Sequence, residues 1–174
     1  MNAGDPQSCA DQWAAAQAGD AKAIAALVRE HRRMVYSLGL RILRNRAAAE
    51  DLTQDVFMQF CQKIASLDSA AHAKHWLRRV ATHRAIDQIR RRAPVPTSED
   101  VLSLIDETDA GDPLLARHLR ALIGDLPLHR RAVVVLRYQE DLDPAEIGEL
   151  LDMPLNTVKS HLRRALEELR GRLT

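Results

Sequence analysis

The stretch that decides the fold lies near the C-terminus: Asp143-Pro144-Ala145-Glu146-Ile147-Gly148-Glu149-Leu150-Leu151-Asp152-Met153-Pro154-Leu155-Asn156-Thr157-Val158-Lys159-Ser160-His161-Leu162-Arg163-Arg164. Asp143 is an N-cap acid, Pro144 fits the first helical position, and Glu146 stands three residues after the cap, so a short helix starts here and runs to Leu151. Asp152-Met153-Pro154 is a turn, and a final helix runs from about Leu155 to Arg170. Along it Val158, Leu162, Leu166 and Leu169 recur at spacings of four, four and three and face inward. Asn156, Thr157, Lys159, Ser160, His161, Arg163 and Arg164 are left facing out. A short capped helix, a turn and a longer helix with a polar, basic face make a helix-turn-helix, whose second helix lies in the major groove of DNA. An ordinary amphipathic helix would also carry solvated arginines, but it would not need the capped helix and turn in front of it.

Upstream of this motif, Leu114 to Ile123 reads as a helix that Asp125-Leu126-Pro127 stops, and the same proline opens the next helix, with Val133 to Leu136 in its middle. Before that, Pro94 to Pro113 holds three prolines, one glycine, six acids (Glu99, Asp100, Asp106, Glu107, Asp109, Asp112) and no Lys or Arg. That composition favours a flexible acidic tether over a packed element, and a domain boundary falls there. The segment before the tether is its electrostatic opposite. From His72 to Ala93 stand Lys74, Arg78, Arg79, Arg84, Arg90, Arg91 and Arg92 against the single acid Asp87. The formal net charge of +1 therefore conceals a basic segment beside an acidic one, the layout of a chain that meets nucleic acid with part of its surface.

The N-terminal half reads as three helices behind a frayed start. The first ~18 residues lack a helical pattern, and Asp20 then caps a helix in which Leu27, His31, Val35, Leu38 and Ile42 recur, ending near Arg44 and Asn45. From about Ala47 to Leu67, Leu52, Val56, Phe60 and Ile64 form one stripe, while Asp51, Gln54, Asp55 and Met58 form another. After the small-residue stretch Ser66 to Ala73, a third helix turns Trp76, Leu77, Val80, Ala81, Ala85 and Ile89 inward and most of its arginines outward.

Composition agrees with an all-α chain: apolar residues make up 46% of 174 residues but aromatics only 3%, so the core is Leu, Ile, Val and Ala on helices. Cys9 and Cys61 have neither disulfide-framework nor zinc spacing and read as free thiols. His72 and His75 stand three apart without a third ligand, so no metal is expected. No nucleophile-base-acid set and no glycine-rich phosphate loop occurs, which leaves no catalytic residues and no cofactor to assign. Without a signal peptide or an apolar run near the ~18 residues of a membrane span, a cytoplasmic protein with no membrane insertion is expected.

Two blocks of motif carry a family resemblance. Asp125-Leu126-Pro127 through Val135-Leu136-Arg137, Glu146-Ile147 through Leu151, and Asn156-Thr157-Val158-Lys159-Ser160-His161-Leu162 resemble region 4 of extracytoplasmic-function (ECF) sigma factors, in the sigma-70 superfamily. Ala49-Glu50-Asp51-Leu52-Thr53-Gln54-Asp55-Val56-Phe57 and Trp76-Leu77-Arg78-Arg79-Val80-Ala81 through Ile86-Asp87 resemble region 2. The resemblance departs at Gly148, where the family usually has Ala, at Asp152, where it usually has Gly, and at His83, where it often has Asn.

The resemblance implies two small helical domains: a flexible 1–19, a region 2 domain at 20–93, the acidic linker at 94–113, and a region 4 domain at 114–174. It implies that Asp51, Gln54, Asp55 and Met58 dock on the clamp coiled coil of the largest subunit of core RNA polymerase, with region 4 reaching the flap region. Trp76, Arg78, Arg79, His83, Arg84, Arg90, Arg91 and Arg92 would meet the −10 element of promoter DNA. The loop Ser66 to Ala73 would take a flipped base, and the outward residues of the last helix would meet the −35 element. The linker would thread near the RNA-exit path and the template cleft. An anti-sigma factor is the further partner implied. The competing readings are a helix-turn-helix regulator acting without polymerase, and a sigma-like decoy that titrates an anti-sigma factor.

Overall fold

The computed structural model describes residues 6–91 and 113–173. Among them there are helices and no strands: α1 Pro6–Gln17, α2 Ala21–Leu43, α3 Arg46–Lys63, a 3-10 turn Ile64–Ser66, α4 Ala70–Arg91, α5 Pro113–Asp125, α6 Leu128–Tyr138, α7 Pro144–Leu151 and α8 Leu155–Leu173. The expected linker, apart from Pro113, lies outside the described residues, and so do its acids.

Local chemistry sets most of the boundaries. Asp20 caps α2 by accepting from the Ala23 amide at 2.8 Å, and Asn45 caps α3 by accepting from Ala48 at 2.8 Å. Between those two helices Arg44 adopts left-handed backbone, φ 55°, and its amide bonds back to the Leu40 carbonyl. At α7 the capping box is complete. Asp143 Oδ1 accepts from Ala145 and Glu146, while Glu146 Oε2 accepts from the Asp143 amide. Asp152 then ends α7 with φ 54°, and a Cβ added at Gly148 would lie 2.8 Å from the Met153 carbonyl, so glycine admits the tight approach of that turn.

Two helical domains result. In the first, Val35, Leu38 and Ile42 of α2 pack on Val56 and Phe60 of α3 and on Leu77, Ala81 and Ala85 of α4, all buried. In the second, Val134 of α6, Leu122 and Leu126 meet Ala165 and Leu169 of α8, and Ile147 and Leu150 of α7 are fully covered. Buried apolar contact continues from one domain into the other, where α2 and α4 lean on α6 and α7.

Three expectations change. The start that reads as frayed is helix α1 from Pro6. Its Trp13 and Ala16 are buried, and Gln17 Nε2 donates to the Leu67 carbonyl at 2.7 Å, so the first turns are tied to the chain beyond α3. The loop expected over 66–73 is reduced to the few residues between the 3-10 turn and Ala70, because Ser69 Oγ accepts from the His72 amide at 3.1 Å and α4 starts early. The last helix runs on to Leu173.

Candidate nucleic-acid interface

The helix-turn-helix forms as its sequence requires. Val158, Ala165 and Leu169 of α8 are buried, Leu162 and Leu166 half-buried, and Asn156, Thr157, Lys159, Arg163 and Arg164 exposed. The N-terminal half of α8 thus offers an open face of hydrogen-bonding and cationic groups, the donor and acceptor types that match base edges and phosphates. Arg163 bonds Glu167 one turn on at 3.1 Å, an exposed pair that yields readily to a better anion.

His161 differs from its expected outward position. It is half-buried and stacked on His129 of α6, with ring centroids 6.2 Å apart and 23° between planes. Neither Nδ1 has a partner. Burial lowers the pKa of both rings, aided at His129 by Arg90 and His161, and at His161 by Arg130 and Arg164. Both shifts favour the neutral rings, and the half-buried stack makes His161 a support of the helix more than an outward-facing group. Ser160 is half-buried as well.

On α3, Asp51, Gln54, Asp55 and Met58 stand exposed, Met58 at 57%, on the side away from buried Leu52, Val56 and Phe60. Beside Asp51 and Asp55 an open groove of about 640 Å³ runs between α3 and α4, lined also by Leu52, Arg84, Asp87, Gln88 and Arg91. Arg84 bridges it to Asp55 at 3.3 Å.

The arginines of α4 are less free than their sequence suggests. Arg78 bonds Glu140 at 2.8 Å, with side chains only 15% and 7% exposed. Arg79 grips both carboxylate oxygens of Asp152 at 2.8 Å and donates to the Glu149 carbonyl at 2.8 Å. His83 Nε2 donates to the Leu150 carbonyl at 2.7 Å, and Arg90 donates to His129 Nε2 at 2.8 Å. Trp76 is half-buried, its ring 6.2 Å from Phe60, which makes it a flank of the core. Arg91 is exposed; Arg92 lies outside the described residues. Sequence periodicity missed Arg131, which donates to the carbonyls of Ile42 and Leu126 and whose pKa burial pulls down to about 10. With Gln139 on Ser37 at 2.6 Å and Arg44 on Asp125 at 2.8 Å, it ties the two domains.

Among the described residues no cluster of three or more His, Cys, Asp or Glu could hold a metal, and no helix is long and apolar enough to cross a membrane.

Comparison with known proteins agrees with this geometry. Residues 27–95 match Sigma-70 region 2, and residues 116–169 match Sigma-70, region 4. The chain is 34% identical over 170 residues to the ECF RNA polymerase sigma factor SigW of Bacillus subtilis, covering 89% of this chain and 91% of SigW. To SigM of Mycobacterium tuberculosis it is 32% identical over 165 residues, covering 94% of this chain and 83% of SigM. Its fold resembles that of CnrH in complex with the cytosolic domain of CnrY (TM-score 0.69, 20% identity, 93% and 94% covered). It also resembles the sigma factor RpoE in complex with the anti-sigma factor NepR from Bartonella quintana (TM-score 0.68, 19% identity, 82% and 91% covered). With both regions present in order and relatives matched over nearly their whole length, the chain belongs to the ECF RNA polymerase sigma factors of the sigma-70 family.

Proposed function

We propose that the chain joins core RNA polymerase through the exposed face of α3 and directs it to promoters, with α4 at the −10 element and α8 at the −35 element. The observation that carries this reading is that region 2 and region 4 both match within one chain, and each half presents an exposed polar face opposite a buried one. A helix-turn-helix regulator acting alone would need only the second half. In this reading Asp51, Gln54, Asp55 and Met58 meet the clamp coiled coil, and region 4 meets the flap. Arg78, Arg79, Arg84, Arg90, Arg91 and Arg92 hold phosphates near −10, with Trp76 and His83 beside them. Asn156, Thr157, Lys159 and Ser160 face −35 bases, while Arg163 and Arg164 hold the flanking backbone. The functional units are 20–93 and 114–174, and the acids of 94–113 keep the connection off DNA. The protein works in the cytoplasm and is itself no enzyme, since the chemistry belongs to the polymerase. The RpoE structure is a complex with the anti-sigma factor NepR and the CnrH structure a complex with the cytosolic domain of CnrY, and an anti-sigma factor is the corresponding partner in this reading.

Replacing Asp51 and Asp55 together by Arg tests the docking face. Both are exposed, so folding should hardly change, while like charge at an interface costs several kcal/mol and should weaken core binding by at least about tenfold. Unchanged capture of core polymerase by a folded double variant would refute the reading.

A further inference from the structure

We propose that Gln17 of α1 is a positioning residue for promoter reading: by holding the Leu67 carbonyl it fixes the loop between α3 and α4, and with it the base accepted at one position of the −10 element. This rests on the proposed function, with that loop as the seat of a flipped base. Gln17 lies outside the residues that match the two sigma regions, 27–95 and 116–169, so neither match assigns it a role.

α1 is built into the first bundle. Trp13, Ala16 and Gln17 stand at helical spacing on one face, and the first two are buried in one apolar cluster with Ile64 and Leu67, which carries the Gln17 amide onto the loop. The helix ends in a Schellman turn. There the Asp20 amide donates to the Ala15 carbonyl at 3.0 Å and the Gly19 amide to the Ala16 carbonyl at 3.1 Å, with Gly19 in left-handed backbone at φ 89°. Asp20 at once caps α2 through the Ala23 amide. No slack separates α1 from α2, so α1 meets the loop as a fixed wall.

The loop is short and pinned at both ends. On one side the Leu67 amide donates to the Ile64 carbonyl of the 3-10 turn at 3.2 Å. On the other, Ser69 takes the His72 amide through Oγ at 3.1 Å and the Ala73 amide through its carbonyl at 2.8 Å. Between these anchors the direction of Asp68 is set by the peptide that joins it to Leu67, and the carbonyl of this peptide is what Gln17 Nε2 holds at 2.7 Å. A peptide group is planar, so fixing its carbonyl also fixes its N–H, which faces His72 Nδ1 at 3.4 Å. The Asp68 side chain, 87% exposed, thereby keeps one direction, with Oδ2 3.2 Å from the same His72 nitrogen. A carboxylate only accepts hydrogen bonds, so held in one direction it discriminates among base edges, and on a turning peptide it does not.

The test is transcription by core polymerase with the full chain from a promoter library randomised through the −10 element. Asp68→Ala marks the position that the loop reads. Gln17→Leu, which keeps the bulk and removes the donor, should cut discrimination at that same position roughly 3- to 10-fold, the worth of one hydrogen bond. The other −10 positions, the −35 preference and capture of core polymerase should be unchanged. Gln17→Glu, of the same shape but without the donor at neutral pH, should do likewise, and it guards against a leucine variant that misfolds. If the Gln17 variants alter all promoters equally, or leave the Asp68 position as selective as in the parent, the proposal is overturned, while a −10 position marked by Asp68→Ala keeps the promoter reading standing. If Asp68→Ala alters no −10 position although the chain directs new start sites, the loop reads no base and the positioning falls with it. The absence of any start site that requires the chain would overturn the proposed function itself, and this proposal with it.

Discussion

Truncating Lys159 and truncating Arg163 or Arg164 should have different consequences, because the three occupy different places on α8. Lys159 is on the second turn of a helix that begins at Leu155, where a recognition helix faces base edges. Arg163 and Arg164 follow four and five residues later, about 6 to 8 Å further along the axis at 1.5 Å per residue, near the flanking backbone. A lost phosphate contact lowers the salt slope by about 0.9, so between 50 and 200 mM salt an arginine variant should lose about 3.5-fold less affinity than the parent. Arg163 must leave Glu167, 3.1 Å away, to reach a phosphate, whereas the carboxylate is an exposed one worth at most ~1 kcal/mol; Arg163→Ala should therefore weaken binding somewhat less than Arg164→Ala. Lys159→Ala should instead change preference at one base pair by about 1 to 3 kcal/mol. The half-buried stack on His129 makes His161→Ala a change in helix support, so the preferred sequence should stay the same. Transcription from a promoter library with core polymerase, at two salt concentrations, measures all four variants. If Arg164→Ala altered the preferred −35 sequence while Lys159→Ala weakened every promoter equally, the placement of α8 in the groove would be wrong.

Removing the α7 cap with Asp143→Ala frees the amides of Ala145 and Glu146, held at 2.7 and 2.9 Å, and should cost about 1 to 2 kcal/mol, read as faster hydrogen exchange at those two amides; unchanged exchange would show the cap to be dispensable. Stability should also fall in acid. His31 is buried and its pKa is lowered, chiefly by burial and further by Lys74 and Arg78 against the opposing effect of Glu30, so the unfolded chain takes up a proton below about 6.5 that the folded chain refuses. The stability is constant on this account above that pH and declines as pH falls toward the folded pKa, by at most about 1.4 kcal/mol per pH unit for this one group. Urea melts at about pH 7.5 and 5.5 should show a smaller acid loss for His31→Leu; an equal loss would remove His31 as a cause.

What the sequence reveals is local, and what it conceals is distant. Asp20, Asn45 and the Asp143–Glu146 pair each act within a turn of themselves, and they mark the starts of α2, α3 and α7. The stripe of Leu52, Val56, Phe60 and Ile64 repeats at helical spacing, and all four are buried. By contrast Trp13 and Ala16 sit in a run of small residues with little contrast between faces, so α1 shows no stripe although its best helix former, alanine, recurs. Arg78 and Glu140 are 62 positions apart, and Arg79 and Asp152 are 73 apart. No periodicity on either helix foretells which arginine finds a carboxylate in the other domain. The lie of His161 is illegible in the sequence for the same reason: its position on α8 is at the border of the apolar stripe, and only the stack with His129 decides which way it points.

The most direct test of the account is run-off transcription with purified core polymerase on a library of genomic promoters, with and without the chain, alongside a gel shift of the chain alone. The two interfaces lie on separate small domains, each with little contact area, so specific binding should need the polymerase to hold both in register. The account predicts new start sites that require the chain and share paired −35 and −10 sequences, and only weak, unspecific binding by the chain alone. Tight, specific binding of promoter duplex by the free chain, with no change in what core polymerase transcribes, would contradict it.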